Sequence, residues 1–235
     1  MNIGIYRSQD SKIIYNSIFS ESLFKSFKHN NNVELIMDDN IEICLSKIQQ
    51  SDLIIFFSHG FHQGIFHRFL DREGEELYKK EWLIGTNKNF EFLKNKKVVA
   101  FSCMTALRDV SGLGELAVLK QGCKVYFGFE NSINRDLPEE YLSALPKNTD
   151  AKNLISSVYS IVFFEVLNKA IEKNLSFKAF AQLTKLLLKK RIIKKLLEEY
   201  GEHVKLDMHI EAALPVMETA NSIFVHGNDK IKFCS

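Results

Sequence analysis

Short apolar runs alternate with segments of helical periodicity along the N-terminal half of the chain. The runs lie at residues 2–6, 33–37, 52–57 and 98–101. Short continuous apolar runs are typical of parallel strands that are buried on both faces. Residues 11–27 and 40–49 place apolar side chains three and four positions apart, which predicts helices. This alternation predicts an α/β fold, with helices on both faces of a mostly parallel sheet.

The pattern continues to the C-terminus. It predicts helices at residues 113–120, 151–173 and 176–200 and a fifth strand at residues 125–129. Gly122 is placed to end the first of these helices in a left-handed conformation. Residues 71–74 predict a turn between two short strands. Residues 222–225 and 230–233 flank a Gly-Asn-Asp sequence, which predicts a terminal hairpin.

Composition favours one domain over residues 1–235. Hydrophobic residues make up 46% of the 235-residue chain, enough for a sizeable core. There are only three prolines, and neither a Ser/Gly-rich tract nor an internal repeat marks a boundary.

The formal net charge of +2 argues against general binding of nucleic acid. The local exception is the predicted helix at residues 185–195, where Lys and Arg alternate with Leu and Ile. That helix can be read as a packed helix with a solvated basic face, or as a surface for an anionic partner.

Neither a secretory signal nor a membrane span is expected, which predicts a cytoplasmic protein. Residues 1–6 lack the basic and apolar regions of a secretory signal. The apolar stretch at residues 154–167 contains Glu165 and falls short of the roughly 20 residues that cross a bilayer. The four cysteines have no Cys-x-x-Cys spacing, so free thiols in a reducing cytoplasm are expected.

The candidate chemistry lies at two strand ends. His59 follows the apolar run at residues 52–57, and Cys103 follows the run at residues 98–101. Functional groups collect beyond the carboxyl ends of strands in open α/β sheets. If the two strands are neighbours, an imidazole and a thiol share one edge, which is the minimum apparatus for nucleophilic catalysis.

An oxyanion formed by attack on a carbonyl needs backbone N–H donors. Gly60 suits this role because it lacks a Cβ and lets a substrate approach closely, and the amide of Cys103 is the second candidate donor. Ser58 or a backbone carbonyl is expected to orient the ring of His59.

Other interpretations of these residue types remain open. A buried cysteine is often only a small core side chain, which is the interpretation adopted for Cys44, Cys123 and Cys234. His59, His62 and His67 have a spacing that permits a metal site, but no acidic partner accompanies them at helical spacing. No metal and no cofactor are therefore expected.

Three segments together resemble the CHAT peptidases, a family in the clan of caspases, separase, gingipains and legumain. They are Ser-His-Gly at residues 58–60, Ala-Phe-Ser-Cys-Met-Thr-Ala at residues 100–106, and the helix-to-strand segment at residues 114–125. Residues 163–171 and 177–180 resemble the family's later helix pair, so the resemblance covers about residues 52–187. Met104-Thr105-Ala106 departs from the Gly-containing turn that is frequent after the nucleophile.

The resemblance implies a caspase-like three-layer fold and a cysteine endopeptidase with a His59–Cys103 dyad. It also implies regulated cleavage of a protein partner, often in bacterial defence, with a separate protein supplying activation. In relatives that cleave after basic residues, an acidic side chain lines the pocket near the position of Glu130, which implies a Lys or Arg preference. The alternatives are a catalytically silent CHAT-like interaction module, and an adaptor that binds an anionic partner through residues 185–195.

Overall fold

The computed structural model describes residues 1–9, 13, 17–28, 31–69, 80–109, 111–133, 149–200 and 206–235. The strands are β1 (Asn2–Arg7), β2 (Asn32–Ile36), β3 (Leu53–Phe57), β4 (Gly60–Phe61), β5 (Gly64–Phe69), β6 (Lys80–Gly85), β7 (Lys97–Phe101), β8 (Val125–Phe129) and β9 (Ile223–Gly227). The helices are α1 (Phe19–Lys28), α2 (Ile41–Gln50), α3 (Leu113–Gln121), α4 (Thr149–Glu172), α5 (Phe177–Tyr200) and α6 (Leu206–Asn221).

Six strands form the central sheet, in the order β2-β1-β3-β7-β8-β9. The first five are parallel, and β9 runs antiparallel to β8. Every residue of β3, β7 and β8 is buried, as expected for strands covered on both faces. A smaller antiparallel sheet of β4, β5 and β6 lies in the chain between β3 and β7.

Two apolar cores lie on opposite faces of the central sheet. Alternate strand residues such as Phe57, Phe101 and Phe127 belong to the core that includes side chains of α1, α4, α5 and α6. Their neighbours Phe56 and Ala100 belong to the core that includes side chains of α2 and α3. This period-two division produces helix, sheet and helix layers, which confirms the predicted α/β class and is consistent with a caspase-like three-layer fold.

Local signals fix the ends of two helices. The side chain of Asn40 caps α2, where its Oδ1 accepts a hydrogen bond of 2.8 Å from the amide of Glu42. Gly122 ends α3 with φ of 71°, the left-handed conformation predicted for it.

The predicted terminal hairpin is wrong. β9 pairs with β8, so residues 223–227 extend the central sheet and do not pair with residues 230–233. Phe233 is buried instead against the start of α5, with its ring stacked 4.5 Å from that of Phe177. Burial of a large aromatic side chain in the main core outweighs the local turn signal. Helix α6 was also missed.

Two predictions fall partly outside the described residues. The turn at residues 71–74 lies there, although the strands on either side of that segment, β5 and β6, do pair antiparallel. Most of the first half of the helix expected at residues 11–27 lies there as well, and the described helix begins at Phe19.

Helix α4 is longer than the apolar stretch read from the sequence. Its segment Ala151–Glu172 is long and apolar enough to cross a membrane by length and composition alone. The helix packs against α1, α5 and α6, and 56% of its most apolar window is buried inside the protein. Glu165 pairs with Lys169 and Arg191. A core position accounts for the apolar composition, and no clear membrane span results.

Candidate active site

Adjacent parallel strands deliver His59 and Cys103. The last paired residues of β3 and β7 are Phe57 and Phe101, so each candidate lies two residues beyond the same register position. Both side chains line one cavity. The expectation that the two strands are neighbours is confirmed.

The turn that carries Cys103 is held by backbone hydrogen bonds. The amide of Met104 donates to the carbonyl of Asn131 at 3.1 Å, and the amide of Ala106 donates to that of Phe129 at 3.0 Å. Met104 has φ of 60°, a conformation that a non-glycine residue adopts at a cost. Methionine thus takes the conformation for which glycine is better suited, at the place where the sequence departs from the CHAT pattern.

The sulfur of Cys103 accepts a hydrogen bond. The amide of Ile133 donates to Sγ at 3.3 Å, and the Cys103 side chain is half-buried. An N–H group directed at sulfur favours the thiolate over the thiol. This contact from a loop after β8 was not predicted, because no sequence pattern marks a backbone donor.

The remaining thiols lie in environments that disfavour ionisation. Burial raises the pKa of Cys44 and raises that of Cys123 to about 12. Cys234 is exposed, so the interpretation of it as a core side chain was wrong, although partial desolvation raises its pKa. None of the four cysteines forms a disulfide. The three others are therefore protonated thiols at neutral pH.

Gly60 lies against the turn of Cys103. Phe66 donates to the carbonyl of His59, so Gly60 and Ile65 form a non-hydrogen-bonded pair of the β4–β5 ladder. The amide of Gly60 consequently points away from β5. Gly60 is not among the residues that line the cavity shared by His59 and Cys103, and its oxyanion role stays a prediction.

Two serines precede the candidate residues. Ser58 donates its hydroxyl proton to the carbonyl of Phe66, which ties the end of β3 to the small sheet. Ser102 is buried, and within the described part of the chain its hydroxyl has no hydrogen-bond partner.

The shared cavity has a volume of about 130 Å³ and a mostly apolar lining. Its apolar lining consists of Ile13, Phe19, Phe57, Phe101, Ile133, Tyr159 and Phe163. Ser17, Ser58, His59 and Cys103 supply its polar atoms. The aromatic lining was not predicted, because it combines α1, α4 and two strands.

Glu130 does not line this cavity. Its carboxylate accepts a hydrogen bond of 2.6 Å from Nε of Arg108, and its amide donates to the carbonyl of Ser222. Glu130 follows β8, as the sequence indicated, but its charge is directed to a cation of the chain itself.

The structure does not bring His59, His62 and His67 together as a metal site. His67 is buried, with Nδ1 2.8 Å from the hydroxyl of Tyr6 and Nε2 3.0 Å from the carbonyl oxygen of Asp39. The ring of His62 lies against Phe61. Over the described ranges, no group of three or more His, Cys, Asp or Glu residues could hold a metal ion.

The basic segment at residues 185–195 lies on α5 and is partly neutralised by neighbouring acids. Arg191 pairs with Glu165 at 3.0 Å, and Lys194 pairs with Glu198 at 3.3 Å. Lys190 is exposed. This segment is thus a helix with a mixed ion-pair surface.

The fold and site together define a three-layer α/β protein, consistent with a caspase-like fold, with a histidine and a cysteine at adjacent strand ends. No family model matches this chain, and no curated protein matches it by sequence.

Proposed function

We propose that this chain is a cysteine endopeptidase with Cys103 as nucleophile and His59 as general base. The observation that carries the proposal is the delivery of both side chains, by adjacent parallel strands, to one cavity. The N–H group directed at the sulfur of Cys103, and the raised pKa values of the other thiols, support the choice of nucleophile.

The proposed reaction begins when His59 takes the thiol proton of Cys103 and Sγ bonds to the substrate carbonyl carbon. The carbonyl electron pair moves to oxygen, where the amides of Gly60 and Cys103 donate hydrogen bonds. The tetrahedral intermediate then collapses, the peptide C–N bond breaks, and His59 returns the proton to the leaving amine. Water then attacks the thioester carbonyl as His59 takes its proton, the C–S bond breaks, the carboxylic acid product leaves, and His59 returns the proton to Sγ.

The setting of this activity is also a proposal, and it rests on the resemblance to CHAT peptidases. The substrate is a protein partner in the cytoplasm, cut in a bacterial defence or signalling pathway, and a separate protein regulates the cleavage. The partly neutralised helix at residues 185–195 offers less support to an adaptor for an anionic partner.

Covalent labelling tests the proposal. A cysteine thiolate attacks a peptidyl acyloxymethyl ketone and displaces the carboxylate of the probe. The intact mass of the protein then reports one adduct. We expect one adduct on the native protein and none on Cys103→Ala. Labelling of His59→Ala should be at least about 100-fold slower, the usual contribution of a general base. Circular dichroism verifies that each variant is folded.

Cys123→Ala is the matched control, because Cys123 is a buried thiol elsewhere in the same fold. It should label at the native rate. Labelling that persists in Cys103→Ala, or that is independent of His59, would contradict the proposal. A folded protein that no probe labels would instead favour the catalytically silent module.

A further inference from the structure

We infer that the aromatic cavity beside Cys103 receives the substrate side chain that precedes the cleaved bond, and that this side chain is apolar. The inference rests on the proposed function and adds the class of substrate. It differs from the basic preference that the position of Glu130 implied.

The cavity is placed to receive that side chain. It is lined by both His59 and Cys103, so a side chain bound there lies next to a carbonyl positioned for attack. Its walls are ordered aromatic rings. Phe57 and Phe101 stack 5.1 Å apart with planes at 4°, and Phe163 lies 4.3 Å from Phe101.

The size of the cavity fits one medium or large apolar side chain. A dry apolar cavity of about 150 Å³ holds a benzene molecule. The volume here is about 130 Å³. A Leu, Met or Phe side chain therefore fills most of it, and a Gly or Ala side chain leaves most of it empty.

The lack of a carboxylate in the described cavity lining disfavours Lys and Arg side chains. Among the described residues that line it there is no carboxylate, and Glu130 after β8 and Glu165 on α4 are engaged by cations of the chain. A cation surrounded by this described lining would be desolvated without a counter-charge, which is unfavourable. An acidic side chain would face the same penalty.

The hydroxyl groups of the cavity also have partners. Ser17 donates to the carbonyl of Ile13, Ser58 donates to that of Phe66, and Tyr159 donates to the hydroxyl of Thr219 at 2.9 Å. Their protons are used within the protein, so these hydroxyls offer a ligand acceptor oxygens but no donor.

The test compares labelling rates of probes that differ only in the side chain next to the reactive ketone. We expect probes with Leu and Phe to label native protein at least about tenfold faster than probes with Arg, Lys or Asp. Glu130→Gln should leave this order unchanged. Fastest labelling by Arg or Lys probes, abolished in Glu130→Gln, would overturn the subsite and leave the peptidase proposal standing.

A charge placed in the wall provides the complementary test. Phe19 is half-buried and lines the cavity, so Phe19→Glu adds a carboxylate there. It should raise the ratio of Arg to Leu labelling at least about tenfold. Phe24 is half-buried on the same helix and is not part of the cavity lining, so Phe24→Glu is the matched control and should keep the native ratio. Equal ratios in both variants would overturn the subsite.

Binding without chemistry separates the two proposals. With Cys103→Ala, N-acetyl-phenylalaninamide should shift NMR signals of cavity residues, and N-acetyl-argininamide should not. The Cys103→Ala variant can bind the apolar amide while no probe labels the folded native protein. That combination would refute the peptidase proposal but not the apolar character of the cavity. Absence of binding would count against the subsite.

Discussion

The backbone of Gly60 packs directly against the carbonyl group of Cys103. A Cβ added at Gly60 would lie 2.7 Å from that oxygen and 2.8 Å from the Cβ of Ser102. Contacts this short between non-bonded atoms are repulsive. The loops that follow β3 and β7 therefore approach each other as closely as they do because residue 60 is glycine.

Gly60→Ala should separate these two loops. A rigid backbone carbonyl receives the new methyl group, so the loops must move and the amide of residue 60 must shift with them. We expect probe labelling of Cys103 to slow by at least about tenfold, with a stability loss of about 1–3 kcal/mol. Labelling kinetics and urea unfolding measure the two effects.

Gly85→Ala is the matched control for this prediction. Gly85 ends β6 of the same small sheet, and the nearest atom to its added Cβ is 3.4 Å away, an ordinary contact. It should label at the native rate. Equal slowing in both variants would show that the small sheet, and not the contact with Cys103, limits the reaction.

His226 is expected to act as a positioning residue for the nucleophile turn. It is buried on β9, and its Nε2 lies 2.9 Å from the carbonyl oxygen of Ala106, so Nε2–H donates there. His226→Ala removes this donor, with a stability cost of about 1–3 kcal/mol. We also expect slower labelling of Cys103, because Ala106 belongs to its turn.

Rescue by a conservative variant separates positioning from general stability. His226→Gln keeps a side-chain N–H of similar reach and should restore most of the labelling rate. If Gln and Ala variants label equally slowly at equal stability, the hydrogen bond to Ala106 has no positioning role.

Alkaline pH should destabilise the protein through Cys123. Burial raises the pKa of this thiol from 9.0 to about 12, so above pH 9 the unfolded chain loses a proton that the folded protein keeps. The free energy of unfolding then falls by up to about 1.4 kcal/mol per pH unit from this group. The contribution is fully present below pH 9 and is lost progressively as pH rises toward 12.

Cys123→Ala removes this dependence. The stability difference between native protein and variant, measured by urea unfolding at pH 7.5 and at pH 10, should shift toward the variant at the higher pH. Burial also raises the pKa of Tyr126, but this residue is common to both proteins and cancels in the difference. A difference independent of pH would contradict the prediction.

Lys97 should hold the C-terminal segment in place. Its Nζ donates to the carbonyls of Phe233 and Ser235 at 2.6 and 2.7 Å, although burial lowers its pKa. Lys97→Met leaves both carbonyls without this donor. Amides of residues 233 and 234 should then exchange with solvent at least about tenfold faster, by hydrogen exchange. Lys124→Met, at an exposed position, should leave their exchange unchanged.

The central sheet and the two candidate residues were predictable because they depend on local patterns. The runs at residues 53–57 and 97–101 are each typical of a strand covered on both faces, and both form such strands. Adjacency of parallel strands then places His59 and Cys103 together.

The cavity lining and the course of the C-terminal segment depend on contacts that are distant in sequence. Phe19 and Tyr159 approach Phe101 only after α1 and α4 pack on the same face of the sheet. Phe233 does not join a local hairpin, because its ring packs against Phe177 at the start of α5. A sequence pattern reports the apolar face of an element but not its partner.

The register between β3 and β7 determines where insertions and deletions are compatible with the site. Phe57 pairs with Phe101, which places His59 and Cys103 each two residues beyond the same register position. Insertions within the segment between β5 and β6 leave that pairing untouched. A single-residue insertion or deletion inside either strand instead turns the following side chain to the opposite face of the sheet. Length variation is therefore compatible with the site in the intervening segment and incompatible with it in the two strands.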